Sequence, residues 1–422
     1  MSAIDKTLVS NPTFTRNADG WRFVTPRPEL APGHSIKSGR LILSAAGDKH
    51  SFGCWQGEAA LEVGKWYKAS VRVRMRDIVN PELSIFAQAA QHFLLPSEPW
   101  ADETLLEQTF QHSNESDGNK FELYLQAADK GEVEWFDPRI EEIERPQQRI
   151  ARVATVRFGD SALPLTLADQ RERMSEKLDM AGAIKADIVC LPEFCLKVGV
   201  PKSTYGSYMD IAEEPPSGNC CKLFAAKAGQ YGMYVIAGIV ERQGDYLFNT
   251  AVIFGRHGEL VGKYAKTHLT FGELRDGISC GCDYPVFDLD FGRIAIHICY
   301  DQWFPEVARY YAHAGAEILF LPVAGGKPIT WRTRALDNGI YFVSSSITPP
   351  SMIIDSSGSI TAQTHDDGIV WADLDLGYRK VNWYIDPTLT YGMPCAIRQM
   401  RNVTDNGLLD FTYQSMRSQY NA

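Results

Sequence analysis

The chain of 422 residues lacks the features of several large protein classes. No apolar run reaches the roughly 18 residues of a membrane-spanning helix. The first 14 residues carry neither the basic flank nor the apolar core of a secretory signal, so we expect a cytoplasmic protein. Lysine and arginine number 42 against 52 acidic residues, a net charge of −10, which argues against a nucleic-acid partner.

The nine cysteines form no disulfide framework and no C-x-x-C pair. Cys280 and Cys282 stand close together, but no histidine or cysteine follows at the spacing of a zinc finger. We therefore expect a structural or incidental role for Cys280 and Cys282. The sequence also lacks a P-loop and a dinucleotide-binding fingerprint.

The first 146 residues have the alternation of apolar and polar residues that half-buried strands show. Residues 40–45, 66–75 and 120–127 follow this period of two, and turn-rich segments separate them. Such spacing predicts an all-β sandwich over residues 1–146.

Several short motifs of this region resemble a galactose-binding-like or carbohydrate-binding jelly roll. They are LVSNPTF at 8–14, GKWY at 64–67 and VEWFDPRI at 133–140. Exposed tryptophans would suit stacking on sugar rings, whereas buried ones would fill the sandwich core, which large aromatic residues do more often. A carbohydrate or other ligand is thus a possible partner. The five tryptophans concerned are Trp21, Trp55, Trp66, Trp100 and Trp135.

From residue 147 the pattern changes to strands that alternate with helices, which predicts an α/β domain over residues 147–422. The clearest unit has a strand at 293–300, a helix at 305–313 and a strand at 317–322. The tail from about Tyr378 is included in this domain, and an oligomerisation arm is one reading of it.

Three strand ends in this domain carry reactive side chains. Cys299 ends a strand just before a helix, Glu193 ends an apolar strand, and Lys266 follows a hairpin. A free thiol has a pKa of about 8.5 and needs a base or a cation nearby to act as a nucleophile. We expect the three side chains to meet at the edge of one sheet.

Each of the three residues also has a plainer explanation by itself. A cysteine that ends a strand is more often a small buried hydrophobic residue. Glu193 would serve equally as an exposed turn carboxylate, and Lys266 as a solvated neighbour of Lys263. The combination of the three, in this order, carries the hypothesis.

That combination resembles the Glu-Lys-Cys triad of the nitrilase, or carbon–nitrogen hydrolase, superfamily. The matching segments are LPEF at 191–194, GKYAKTHL at 262–269 and ICYDQWFPE at 298–306. The resemblance spans about residues 150–376 and implies an α-β-β-α sandwich whose protomers pair into a homo-oligomer. Ala265 departs from the family, in which many members have arginine before the catalytic lysine.

The resemblance also implies roles for single residues. Cys299 would be the nucleophile, Glu193 the proton carrier and Lys266 the oxyanion partner, while Glu273 best matches a second glutamate that orients the others. A thioester would form and be hydrolysed by water, without a metal or organic cofactor. We thus predict a cysteine-dependent hydrolase of a small amide or N-carbamoyl amine.

The residues after the nucleophile bear on the substrate. Cys-Tyr-Asp at 299–301 resembles amidases and carbamoylases, whereas nitrilases typically have Cys-Trp-Glu there. Gln302 and Trp303 stand where enzymes for N-carbamoyl D-amino acids have arginines that grip a carboxylate. Tyr300 and Trp303 are candidate substrate contacts, although Trp303 would pack equally well in the core. The alternatives are a nitrilase acting on a C≡N group and a non-catalytic glycan- or ligand-binding protein on the same scaffold.

Overall fold

A computed structural model describes residues 7–15, 19–97, 100–113, 118–159 and 164–377. The described residues form two compact units, and the chain passes from one to the other between Pro146 and Gln147. The tail from Tyr378, for which the sequence analysis offers an oligomerisation arm as one interpretation, lies outside the described residues.

The N-terminal unit consists almost entirely of antiparallel strands. They follow one another in a sheet of order β1-β4-β9-β6-β7-β8-β5-β10-β3-β2. A short helix, α1, spans Pro81–Ser84. The strands β1 to β10 are Trp21–Val24, Gly33–Lys37, Arg40–Ser44, Phe52–Glu58, Trp66–Arg76, Ile85–Ala89, His92–Pro96, Glu103–Gln111, Lys120–Gln126 and Glu132–Ile143. The β-rich character predicted for this region is confirmed.

Tryptophans fill much of the core of this unit. Trp135 is fully buried, and Trp21 and Trp55 are 5% exposed. The Trp55 indole donates a hydrogen bond to the Ile42 carbonyl at 3.1 Å, so its polar end is satisfied inside the core. Three of the five tryptophans are therefore core residues that no sugar ring reaches.

The second unit alternates strands and helices. Its strands β11 to β23 are Ile150–Arg157, Ile188–Cys190, Tyr234–Gln243, Tyr246–Phe254, Leu260–Ala265, Ile278–Ser279, Val286–Leu289, Gly292–Ile296, Ile318–Val323, Tyr341–Ser346, Ser351–Ile354, Ile360–Thr364 and Gly368–Asp375. Its helices α2 to α7 are Leu167–Ala183, Lys202–Tyr205, Asn219–Tyr231, Phe271–Arg275, Pro305–His313 and Pro328–Asn338.

Two sheets form the middle of this unit. One has the order β15-β14-β13-β12-β11-β23, with β16 beside β14, and the other runs β17-β18-β19-β20-β21-β22. Apolar residues of both sheets, among them Ile188, Ile236, Ile296 and Phe320, share one core. Helices α2 and α4 pack on the first sheet, and α6 and α7 pack on the second. The layers therefore run helix, sheet, sheet, helix, and the predicted α/β class is confirmed.

Local sequence signals fix several helix ends. Thr166 and Asp169 form a reciprocal capping box at the start of α2, which satisfies backbone N–H groups that the helix leaves free. Pro305 occupies the first turn of α6, where its missing N–H costs nothing. None of the helices in the described part of the chain combines the length and apolar character that a membrane crossing needs.

Candidate active site

The three strand ends singled out in the sequence do converge, but two sheets supply them. Glu193 follows β12 and Lys266 follows β15, both in the first sheet, whereas Cys299 follows β18 in the second. The expectation of a single sheet edge was wrong. Apolar runs mark where strands end, but they carry no information on which strands pair, so the sequence could not divide these strands between two sheets.

Sharp turns present two of these side chains. Cys299 has a φ of +46° and Phe194, directly after Glu193, has a φ of +47°. Residues other than glycine adopt this left-handed conformation at a cost, which is typical of functional turns. Gly238 of β13 makes room for the Glu193 turn, because a Cβ there would lie 2.7 Å from the Glu193 Cα.

A buried cluster of charges occupies the convergence point. Lys266 is 1% exposed, and its Nζ donates to Glu193 Oε1 at 3.0 Å. The same Nζ donates to Glu273 Oε1 at 2.9 Å and to Oε2 at 2.8 Å. Burial alone would lower the pKa of the Lys266 ammonium, but the negative charges around it, led by that of Glu193, raise this pKa above its usual value. Lys266 is therefore a permanent cation.

Glu273 is anchored by its own short helix. At the start of α5 its Oε2 accepts from the Thr270 N–H at 2.9 Å and from the Thr270 hydroxyl at 2.8 Å. Burial opposes ionisation of this carboxyl, but the Lys266 charge and these donors hold its pKa below the usual value. Glu273 is thus an ionised carboxylate that grips the ammonium with both oxygens.

The Cys299 thiol lies beside this cluster and is partly buried. Burial, together with the negative charge of Glu193, raises the pKa of the thiol despite the opposing charge of Lys266. The thiol interacts with the Glu193 carboxylate and with the Ala324 backbone N–H, which also donates to Glu193 Oε2 at 3.1 Å. The raised pKa favours a protonated resting thiol, and the Glu193 carboxylate is the neighbouring group that could accept its proton.

Sequence reasoning missed Asn249, which lies inside the cluster. This fully buried residue of β14 donates from Nδ2 to Glu193 Oε1 at 2.7 Å and to Glu273 Oε1 at 2.6 Å. The signal in the sequence is a polar pair, Asn249 and Thr250, in the middle of an otherwise apolar strand.

Asp301 connects the turn of Cys299 to the segment of Lys266. It is completely buried, and its Oδ2 accepts from the Ile298 N–H and from the Tyr264 hydroxyl, both at 2.8 Å. Its Oδ1 accepts from the His268 N–H at 3.0 Å and lies 2.9 Å from the His268 ring Nδ1. One carboxylate thus braces two chain segments, one from each sheet.

Replacing Asp301 by asparagine is expected to loosen this brace. One carboxylate oxygen becomes an NH2 group that faces donors, so two donors lose their acceptor in the interior. We expect a loss of about 2–4 kcal/mol in the free energy of unfolding and a lower kcat, measured by denaturant unfolding and by turnover. Asp288→Asn, at an exposed ion pair with Arg293, is the control. Equal stability of both variants would contradict this role.

Tyr300, Gln302 and Trp303, three of the four residues after Cys299, have different environments. Gln302 is buried; its amide donates to the Cys299 carbonyl at 2.8 Å and accepts from the Trp331 indole at 2.7 Å, so it braces the turn. Tyr300 and Trp303 are 38% and 46% exposed. Trp303 is therefore not a core residue, and both side chains are free of the tight packing that would exclude a ligand contact.

The string Gly277-Ile-Ser-Cys-Gly281 fits the G-x-S-x-G letters of serine hydrolases. In those enzymes the serine lies at a turn from a strand into a helix. Here Ser279 ends the two-residue strand β16, and the chain runs without a helix to β17. The string is therefore not a nucleophile elbow.

Comparison with known proteins supports a single family. The family model "Carbon-nitrogen hydrolase" matches residues 152–381, more than half of the chain. The omega-amidase NIT2 of Homo sapiens is 32% identical over 255 residues, which are 53% of this chain and 88% of that protein. A nitrilase of Pyrococcus abyssi is 34% identical over 200 residues, 46% of this chain and 74% of that protein.

A third relative and one solved structure complete the comparison. The beta-ureidopropionase of Arabidopsis thaliana is 32% identical over 247 residues, 54% of this chain and 58% of that protein. The structure of a carbon-nitrogen hydrolase from Helicobacter pylori superposes with a TM-score of 0.50 at 20% identity, and the match covers 62% of this chain and 99% of that one. This structural likeness shows the shared fold of the second unit.

Proposed function

The chain belongs to the carbon-nitrogen hydrolase family, and from this premise we propose that it hydrolyses a linear amide or N-carbamoyl amine through a thioester on Cys299. One observation carries the proposal: a carboxylate, an ammonium and a thiol from three strand ends converge in a buried cluster. Stability does not explain such a group, because burying charges is costly even when they are paired.

The first half of the proposed reaction forms the thioester. Glu193 Oε2 accepts the Cys299 proton while the sulfur bonds to the carbonyl carbon and the C=O electron pair moves to oxygen. The positive charge of Lys266 and backbone N–H groups at the Cys299 turn stabilise this oxyanion. Glu193 then returns the proton to the nitrogen, the C–N bond breaks, and ammonia or an amine leaves.

The second half regenerates the enzyme. Water loses a proton to Glu193 and attacks the thioester carbon. The acid product leaves as the C–S bond breaks, and the sulfur regains the proton. No cofactor enters this sequence of steps, and Glu273 keeps Lys266 in place throughout.

The substrate class follows from the residues after the nucleophile and from the relatives. The sequence Cys-Tyr-Asp at 299–301 resembles the amidase and carbamoylase branches, and the relatives include an omega-amidase and a beta-ureidopropionase. We propose Tyr300 and Trp303, both partly exposed and within four residues of Cys299 along the chain, as substrate contacts. The relative named a nitrilase keeps a C≡N substrate as the second candidate.

Ammonia release from matched substrates decides between the candidates. A primary amide, an N-carbamoyl amine and a nitrile with the same carbon skeleton are each incubated with wild type and with Cys299→Ala. We expect release from the amide or the carbamoyl compound, none from the nitrile, and none with the variant. Release from the nitrile alone would identify a nitrilase. No release from any of them, with no labelling of Cys299 by an electrophile, would favour a non-catalytic binding protein.

We also propose that the N-terminal unit is a jelly-roll module that binds a neutral carbohydrate on one sheet face. Arg22, Gln56, Glu122 and Gln88 form a row of hydrogen bonds across four neighbouring strands. Next to this row Phe86 stacks on Tyr124 with ring centroids 4.2 Å apart. Planar amides and charged groups can form hydrogen bonds with sugar hydroxyls, and aromatic rings can stack on sugar faces. The positive charge of Arg22 and the negative charge of Glu122 cancel, which suits a neutral carbohydrate.

A glycan array tests this binding proposal separately from catalysis. We expect binding of a neutral glycan by wild type and by Cys299→Ala, and its loss in Gln88→Ala. The control is Gln111→Ala, a change at a partly buried glutamine of β8 whose amide donates to the Gly64 carbonyl. Binding that survives Gln88→Ala would refute this location. A cytoplasmic protein and a homo-oligomer of at least two copies remain predictions, and light scattering of the full chain measures the number of copies.

A further inference from the structure

Asn249 connects the two glutamates of the site without bearing a charge. We propose that Asn249 is a positioning residue that fixes which oxygen of Glu193 receives the Cys299 proton. This inference rests on the proposed function, because it assigns a task within the same proton transfer.

The count of donors supports this task. The three N–H groups of Lys266 and both N–H groups of the Asn249 amide are directed at carboxylate oxygens. Glu193 Oε1 thus accepts two bonds, from Lys266 and from Asn249, whereas among the described residues Oε2 accepts a hydrogen bond from the Ala324 N–H alone. With its lone pairs on Oε1 engaged, Glu193 offers Oε2 to the thiol.

The orientation of the amide is set by its surroundings. Asn249 and Lys266 are neighbours on adjacent strands, because the Lys266 N–H donates to the Asn249 carbonyl at 2.8 Å. Turning the amide over would place its oxygen against two carboxylate oxygens, which is repulsive. The NH2 group must therefore face the glutamates.

The acceptor end of the Asn249 amide has no partner. Asn249 Oδ1 is buried and finds no donor among the residues that the structure describes. An unpartnered buried acceptor destabilises the folded state. The contribution of this side chain to the site therefore comes from its two N–H groups.

Removal of Asn249 also changes the charge balance. Two buried carboxylates face one ammonium, and the Asn249 hydrogen bond is among the causes that lower the pKa of Glu273. The other ionisable groups that interact with this cluster are the Cys299 and Cys280 thiols, Asp301 and Tyr208. Without the amide, the pKa of Glu273 loses one of the causes that lower it, so this carboxyl, which holds Lys266 in place, becomes protonated at a higher pH.

Three variants test the proposal through kcat, KM and the pH dependence of kcat/KM. For Asn249→Ala we expect kcat to fall by about 10–100-fold and KM to change by less than about 3-fold. The acidic side of the kcat/KM pH profile should move to higher pH. Asn249→Asp adds a third carboxylate and should be weaker still at neutral pH. Its activity should recover as pH falls, because a protonated aspartate supplies one O–H donor. Asn338→Ala is the matched control, a buried asparagine on α7 with an unpartnered Oδ1, and should leave the profile unchanged.

Two outcomes would overturn the proposal: an Asn249→Ala profile that coincides with wild type, or an Asn249→Asp profile without recovery at low pH. If Asn249→Ala does not fold, Asn249→Ser retains one donor and should show a smaller loss with the same direction of shift. Alkylation of Cys299 by iodoacetamide is also followed against pH in the same proteins. It distinguishes a failure of the proposed function from a failure of this inference. A shift in alkylation without any amide hydrolysis by wild type would sink the proposed function alone, whereas hydrolysis without any shift would sink this inference alone.

Discussion

Replacing Cys299 by alanine is expected to reduce kcat by at least about 10⁴-fold, because the sulfur is the atom that bonds to the substrate. The fold should persist, since the side chain is only partly buried and the change removes a single atom. Ammonia release under saturating substrate measures kcat, and circular dichroism confirms folding.

Two other cysteines supply matched controls for this variant. Cys280 is partly buried and feels the charge of Glu273, so it lies near the same cluster, and Cys282 is exposed. Alanine at either position should leave kcat within about 3-fold of wild type, as expected for thiols that take no part in the chemistry. A Cys280→Ala protein as inactive as Cys299→Ala would place the nucleophile elsewhere.

Replacing Lys266 by methionine is expected to affect both stability and activity. The change leaves Glu193 and Glu273 buried without their cation, and breaking a buried ion pair costs about 3–5 kcal/mol. Loss of the charge beside the oxyanion should lower kcat by about 10²–10³-fold. Thermal unfolding and turnover measure the two effects.

The pH dependence of this destabilisation has a definite sign. Without the Lys266 charge, burial raises the pKa of Glu273 in the folded state, so the variant is stabilised by protonation of this carboxyl at low pH and loses that contribution as pH rises. The loss of unfolding free energy relative to wild type should therefore be larger at pH 8 than at pH 5.5. The control is Lys202→Met, at an exposed pair with Asp276, whose loss should be small at both pH values. A deficit that grows toward low pH would contradict the assignment.

Much of the fold could be predicted because apolar periodicity and end signals agree locally. The helix predicted over 305–313 is α6, with the same bounds. The final part of the unit, α7 with strands β20 to β23, received no sequence assignment. Its strand β23 pairs with β11, more than 200 residues earlier, a contact that no local pattern records.

The candidate site, like the fold, could be predicted only where the signal is local in the sequence. Charged residues at strand ends stand out from an apolar run, and these are the residues that the sequence singled out. Asn249 and Gln302 received no structural role from the sequence, because neither lies at the end of a strand. Their importance comes from contacts with residues far along the chain, such as Glu193 and Trp331. Buried polar residues within apolar strands are the signal to look for.

Mass spectrometry of the quenched reaction shows directly whether a thioester forms on Cys299. The full-length protein is mixed with an amide that it hydrolyses, quenched in acid within the first turnover, and digested. We expect the acyl group to be attached as a thioester to the peptide that contains Cys299, and hydroxylamine to remove it. An acyl group on Cys280 or Cys282, or steady ammonia release by Cys299→Ala, would contradict it.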